Sequence, residues 1–300
     1  MGEIADFESP VLRIAHDETD AGGVATLWLD RAEALNAMGV DLWRDLPRAM
    51  ALLSADTTVR AVVVAAEGPH FSVGLDLKAL GGMLTGGTGG GGGGGGGSGG
   101  GGTGGTGVSS MAARARNGRV EVLRLQDAIT AVARCPKPVI AAVHGYCIGG
   151  GVDLIAACDI RLASADAVFS VREAKMAIVA DLGSLQRLPA IINAGHLAEL
   201  AYTGKDISAE RAKEIGLVND LAPDAEGVHK AAHTLALEIA SNSPLAVQGT
   251  KAVLLANEGR TVAEGLDYVA TWNAGMLASD DLTEAVTAFI EKRPPEFTGR

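Results

Sequence analysis

The run "PVIAAVHGYCIGGGVDLIAACDI" (138–160) constrains the fold of this chain more than any other stretch. Pro138 to Val143 is apolar, β-branched and of the length of a buried strand. Gly149-Gly150-Gly151 then opens a helix that runs through Val152–Cys158. Glycines at such a junction let a ligand approach the backbone closely. The helix start also presents unpaired N–H groups at the positive end of its dipole. A turn of this kind can stabilise an oxyanion. It serves tight strand–helix packing equally well, and the run alone does not choose.

Other segments have the same alternating character. "VATLWL" (24–29) and "RAVVVAA" (60–66) read as buried strands, with helical patterns at 39–55 and 120–135. Strand alternating with helix implies an α/β architecture. Beyond residue 206 the patterns become helical, which predicts a core over 1–206 and a helical C-terminal region over 207–300. Segment 81–107 holds 20 of the 41 glycines and reads as a flexible insertion. Its match to a dinucleotide-binding glycine pattern is trivial, since no strand leads directly into it, and no Lys-Ser/Thr follows to make a phosphate loop.

Strand 60–66 leads into a second glycine turn, "FSVGLDL", in which Gly74 precedes Leu75 and Asp76. Two such turns converging on one carbonyl oxygen make a two-donor oxyanion hole, and losing one donor typically costs about 10²–10³ in rate. The stretch "REAKMAIVAD" (172–181) poses a different problem. Glu173 and Asp181 bracket an apolar segment that looks built for burial. They are either two ordinary solvated acids or a pair facing one buried space.

Net charge excludes some partners. At −11, the chain is a poor match for nucleic acid or an anionic membrane surface. Cys135, Cys147 and Cys158 have no metal-ligand spacing and read as small buried hydrophobes in a reducing compartment. The acidic "MGEIADFESP" has no apolar signal core and "FTGR" is no peroxisomal address, so a cytoplasmic protein is expected. His229 and His233 stand four apart on a predicted helix, but no third ligand is evident; they read as a solvated face, and no metal is expected. His144 reads as a core histidine bonded to backbone.

"FSVGLDL", "KPVIAAVHGYCIGGGVDLIAACDIRLAS", "YTGKDISAERAKEIGLVND" and "EKRPPEFTGR" together resemble the enoyl-CoA hydratase/isomerase (crotonase) superfamily. The likeness runs from about residue 11 to the end, apart from the glycine insertion. It implies a spiral of ββα units with a C-terminal helical oligomerisation region, assembled as a homotrimer or homohexamer. It also implies an acyl-CoA thioester substrate and no cofactor other than the CoA that the substrate carries. By motif match, the oxyanion donors fall on the backbone N–H groups of Leu75 and Gly150, with Gly74, Asp76 and Gly149 around the substrate. Phe289 would pack on adenine or the acyl chain. Lys292 and Arg293 would meet CoA phosphates, although basic residues at helix ends are commonly just solvated.

Within that superfamily, hydratases carry two glutamates at the positions of Asp153 and Glu173; the first is an aspartate here. Together with Asp181, these acids are similar to those of Δ3,5-Δ2,4-dienoyl-CoA isomerases. The resemblance implies transfer of a proton from carbon 2 to carbon 6 through a dienolate. Glu173 would act as base at carbon 2, Asp181 as acid at carbon 6 and Asp153 as an auxiliary, with the reverse order of the pair left open. Two alternatives remain: an enoyl-CoA hydratase using Asp153 and Glu173, and a catalytically idle acyl-CoA-binding protein. The glycine insertion reads either as a lid over the acyl pocket or as a neutral expansion.

Overall fold

The computed structural model describes residues 4–17, 23–77 and 110–300, so the glycine-rich insertion lies outside the described residues. In chain order its elements are β1 (Leu12–Asp17), β2 (Val24–Leu29), α1 (Val40–Ala55), β3 (Ala61–Ala66), α2 (Met111–Arg134), β4 (Val139–Val143), β5 (Tyr146–Ile148), α3 (Gly150–Ala156), β6 (Ile160–Ser164), β7 (Val168–Ser170), α4 (Ser184–Arg187), α5 (Ala194–Thr203), β8 (Ile207–Ser208), α6 (Ala209–Glu214), β9 (Asp220–Ala222), α7 (Ala225–Ala240), α8 (Pro244–Ala256), α9 (Val262–Met276) and α10 (Asp280–Glu291).

Every residue of β3 is buried, and the reason lies in its two faces. Val62, Val64 and Ala66 point into one core, with Leu46, Met50 and Ile129 from α1 and α2. Ala61, Val63 and Ala65 point into a second core, with Val228, Ala232, Ala236 and Ala240 of α7. A strand covered on both faces carries no polar alternation, so "AVVVAA" reads as one continuous apolar run. The large sheet has the order β1-β2-β3-β4-β6-β9. β1 pairs antiparallel with β2, and every later pairing in that sheet is parallel.

Strand–strand–helix is the recurring unit, seen as β1-β2-α1, β4-β5-α3 and β6-β7-α4. In the last two, the first strand joins the large sheet and the second joins a small one of order β5-β7-β8. Gly145, between β4 and β5, marks the change of sheet with φ +55°; a methyl group there would lie 2.2 Å from the Pro69 carbonyl oxygen.

The three expected strands and the helix at 39–55 form where the apolar patterns put them, and β1 is an addition. α2 starts at Met111 rather than 120. Its first turns are largely exposed and so carry no apolar periodicity, while the Ser110 hydroxyl caps its start by accepting from the Ala113 N–H at 3.1 Å. Packing also runs through residue 206: β9 closes the sheet edge and α7 covers one sheet face. Helices α8 to α10 follow, with no buried residue in α9.

All three cysteines are free and buried. His144 is buried, with Nε2 2.8 Å from the Gly68 carbonyl. His229 departs from the solvated face expected of it. Its ring packs edge-on to Trp28 and to His144, with centroids 5.1 and 5.3 Å apart. Burial, helped by His144, pulls it down to about 4. α7 lies flat on the sheet, so the residue after Val228 is drawn in with it.

Candidate active site

Three chain segments run parallel into the site. The Ser72 N–H donates to the Tyr146 carbonyl at 2.9 Å, and the Ile148 N–H donates back to Ser72 at 3.0 Å. On its other edge β5 pairs parallel with β7, Ile148 opposite Ser170. Parallel neighbours end at the same side, so Gly74-Leu75, Gly149-Gly150 and Glu173 are delivered together. Ligand sites in parallel α/β folds commonly lie at such carboxyl ends.

The two glycine turns abut. Gly74 has φ +87°, and a methyl group on it would lie 2.8 Å from the Ile148 carbonyl oxygen and 3.6 Å from the Gly150 nitrogen. Met38 donates to the Gly74 carbonyl at 2.8 Å and accepts from the Asp76 N–H at 3.0 Å. That pairing uses the flanking groups and leaves the Leu75 N–H pointing away from Met38. At the helix start, Val152 and Asp153 reach back to the Gly149 carbonyl at 2.7 and 3.1 Å, which leaves the Gly150 N–H over. Among the described residues, neither the Leu75 nor the Gly150 N–H has a hydrogen-bond acceptor. Two uncommitted donors from adjacent turns have the composition of an oxyanion hole. Asp76 is held in an ion pair with Arg31 at 2.9 Å, where it fixes the turn.

The three acids gather beside these turns. Glu173 starts a 3-10 turn, Glu173–Met176, that ends at Ala177 in the left-handed region. Its Oε1 lies 3.2 Å from where a Cβ on Gly149 would stand, so the carboxyl sits directly against that glycine, whose φ is +53°. Its Oε2 is buried without a partner among the described residues. Asp153, on the first turn of α3, is 1% exposed and accepts the Ser184 N–H at 2.5 Å. Asp181 is half-buried and begins the loop that leads to Ser184.

Burial pushes the Glu173 carboxyl up to about 7, and the charges of Asp153 and Asp181 push the same way. Burial likewise lifts Asp153 to about 6; the Ser184 N–H opposes this, while Asp181 adds to it. Asp181 is raised too, chiefly by burial.

The apolar stretch between the acids does the opposite of what its composition suggests. Met176 is 46% and Val179 75% exposed, and Ala174, Lys175 and Ala177 are exposed as well. The tight 3-10 turn directs Glu173 inward against Gly149 and leaves the apolar side chains outward. Of the residues between the acids only Ala180 is buried, while the Glu173 carboxyl is turned toward the interior.

Phe289 and Lys292 are not brought to this cluster within the chain. Phe289 is 85% exposed on α10, and Lys292 caps that helix in the left-handed region at φ +57°. Arg293 is engaged with Glu284 and Glu291. Sequence reasoning missed Ser184, whose N–H holds Asp153, although the glycine before it in "DLGSLQRLP" marks a turn.

The raised carboxyls carry a stability prediction. A group whose folded pKa of about 7 exceeds its unfolded value of about 4.5 binds its proton more tightly when folded. Its stabilising effect is full below the unfolded value and is lost as pH rises through 7. Glu173→Gln, which keeps the neutral form, should therefore melt higher than the wild type at pH 8, with the gap closing by pH 5. Thermal melts at both values check this; a gap independent of pH contradicts it.

The model of the enoyl-CoA hydratase/isomerase family matches residues 19–87 and 102–300. A peroxisomal Delta(3,5)-Delta(2,4)-dienoyl-CoA isomerase of Arabidopsis thaliana is 43% identical over 289 residues, 95% of this chain and 96% of the relative. A mitochondrial protein of the same name from Homo sapiens is 38% identical over 98% of this chain and 83% of its own length. Among solved structures, an enoyl-CoA hydratase from Bacillus anthracis superposes with a TM-score of 0.80 at 29% identity, covering 96% of this chain and 99% of that one. The cytoplasmic placement expected above does not stand, since the isomerase relatives are named peroxisomal or mitochondrial. With the family model spanning both glycine turns and all three acids, the chain belongs to the enoyl-CoA hydratase/isomerase family and has its crotonase fold.

Proposed function

We propose that this chain converts a 3,5-dienoyl-CoA to the 2,4-dienoyl-CoA. The observation that carries the reading is the cluster of three partly or fully buried carboxyls beside two uncommitted backbone donors. Its relatives' names point the same way.

In the proposed reaction the thioester oxygen accepts hydrogen bonds from Leu75 and Gly150. Gly74 and Gly149 leave space for it, and Asp76 holds the first turn. Glu173 removes the carbon-2 proton, the C–H electron pair becomes a dienolate, and negative charge grows on the oxygen under the two donors. Asp181 then delivers a proton to carbon 6, and the electron pair returns to close the 2,4-diene. Glu173 takes the carbon-2 end because its carboxyl lies against Gly149, beside the donor turn. A base with a pKa near 7 is matched to neutral pH. Once Glu173 is ionised, its charge and the dry acyl chain help Asp181 keep its proton. The step is redox-neutral, so the proposal includes no cofactor besides the substrate's CoA.

Asp153 serves here as the orienting acid, through its bond to Ser184. This favours isomerase over hydratase: a fully buried carboxyl committed to a backbone N–H is poorly placed to hold an attacking water. It also weighs against an idle binding protein, for which an unpaired buried glutamate is a cost without a return.

Assembly as a homotrimer or homohexamer is part of the proposal. It is supported by the apolar surface that α8 to α10 leave bare, including Leu254, Val262, Leu266 and Ile290. An assembled neighbour is also the route by which Phe289 and Lys292 would meet CoA. The test of the function is incubation with 3,5-octadienoyl-CoA, followed by absorbance of the conjugated product. Isomerisation should outrun hydration of a 2-enoyl-CoA measured alongside, and dominant hydration would sink the reading.

A further inference from the structure

The loop that carries Asp181 is strapped down from outside the acid cluster. Gln126 on α2 donates from Nε2 to the Asp181 carbonyl oxygen at 2.6 Å. One residue on, the Leu182 carbonyl accepts from Arg187 Nη1 at 3.3 Å, and Arg187 Nη2 donates to the Thr130 hydroxyl at 3.0 Å. Gln126 and Thr130 stand four apart, on one face of α2. Gly183 permits the arrangement, with φ +130°; a methyl group there would lie 1.8 Å from Arg187 Nη1. At its far end the loop is held by Asp153, through the Ser184 N–H.

We infer that Gln126, backed by Thr130 and Arg187, is a positioning residue that sets Asp181 against Glu173 across the acyl chain. Gln126 reaches the backbone of residue 181, not its carboxyl, so it acts on where the acid stands. The inference rests on the isomerase reading. Proton transfer at two carbons demands two fixed acids, and misplacing a reacting group by about 1 Å can cost about 10² in rate. Asp153 fixes one end of the loop, and α2 fixes the other. Without the α2 strap, Asp181 would drift while Glu173, held by its own turn, would stay.

The test is Gln126→Leu, which removes the donor and leaves an apolar side chain on α2, with Thr130→Val as a milder second variant. Gln126→Leu should lower kcat for isomerisation about 10- to 100-fold with KM within a few-fold of wild type. The decisive readout is deuterium exchange from D2O into the thioester, measured separately at carbons 2 and 6. Gln126→Leu should lose exchange at the same carbon as Asp181→Asn and keep it at the other, and Thr130→Val should do so more weakly. Equal loss at both carbons, or no loss at either, overturns the positioning role. If the wild type does not isomerise a 3,5-dienoyl-CoA at all, the functional reading fails and takes the inference with it. A wild type that isomerises beside a Gln126→Leu variant with unaltered exchange removes the inference alone.

Discussion

Glu173→Gln and Asp181→Asn are each expected to lower dienoyl isomerisation by about 10²–10⁴-fold, the usual contribution of a positioned acid or base. Either amide keeps the shape of the side chain and removes its ability to exchange a proton. Thioester binding should persist, because the proposed donors are the backbone N–H groups of Leu75 and Gly150. The two variants should differ in kind. With Asp181→Asn, Glu173 can still take the carbon-2 proton and return a deuteron from D2O, so exchange at carbon 2 survives while isomerisation is lost. With Glu173→Gln, both are lost. The mirror-image pattern would exchange the roles of the two acids. Near-normal turnover in either variant would remove the pair.

A second large effect is expected from Gly74→Ala. The backbone there has φ +87°, which L side chains rarely adopt, and the added methyl would lie 2.8 Å from the Ile148 carbonyl oxygen. That oxygen belongs to the backbone of the neighbouring turn and cannot swing aside, so the two turns must part. Parting them separates the Leu75 and Gly150 N–H groups, and kcat/KM should fall by about 10²–10³, the cost of one lost oxyanion donor. Gly150→Ala is the control: its methyl would meet the Met38 thioether at 2.9 Å, at a flexible side chain rather than at backbone, so its loss should be smaller. Circular dichroism of both variants separates lost geometry from lost folding. Equal activities in the two would contradict the convergence of these donors.

The strands and the turn glycines have a local signal and are legible in the sequence. "VATLWL" and "AVVVAA" form strands because short, largely apolar runs of that length need a covered sheet. The two glycine turns stood out because glycine is needed where backbones touch. The acids were visible as residue types at suggestive places. The exposure of most of "AKMAIVA" is not legible in the sequence, because composition records what a residue prefers and not which way a 3-10 turn faces it. The surroundings of His229 are hidden for the same reason, since its exposure depends on how α7 lies against Trp28 and His144.

An α/β chain with two glycine turns, three candidate acids and a helical C-terminal part is legible in the order of the residues alone. Each of these depends on neighbours within a few residues. That Gly74, Gly150 and Glu173 meet is a property of the folded chain, because their meeting comes from parallel pairing between segments far apart in sequence. The folded chain alone also raises the Glu173 carboxyl to about 7, since that shift comes from the water that other segments exclude. The grip of Gln126 on Asp181 spans 55 positions and leaves no local trace at either residue.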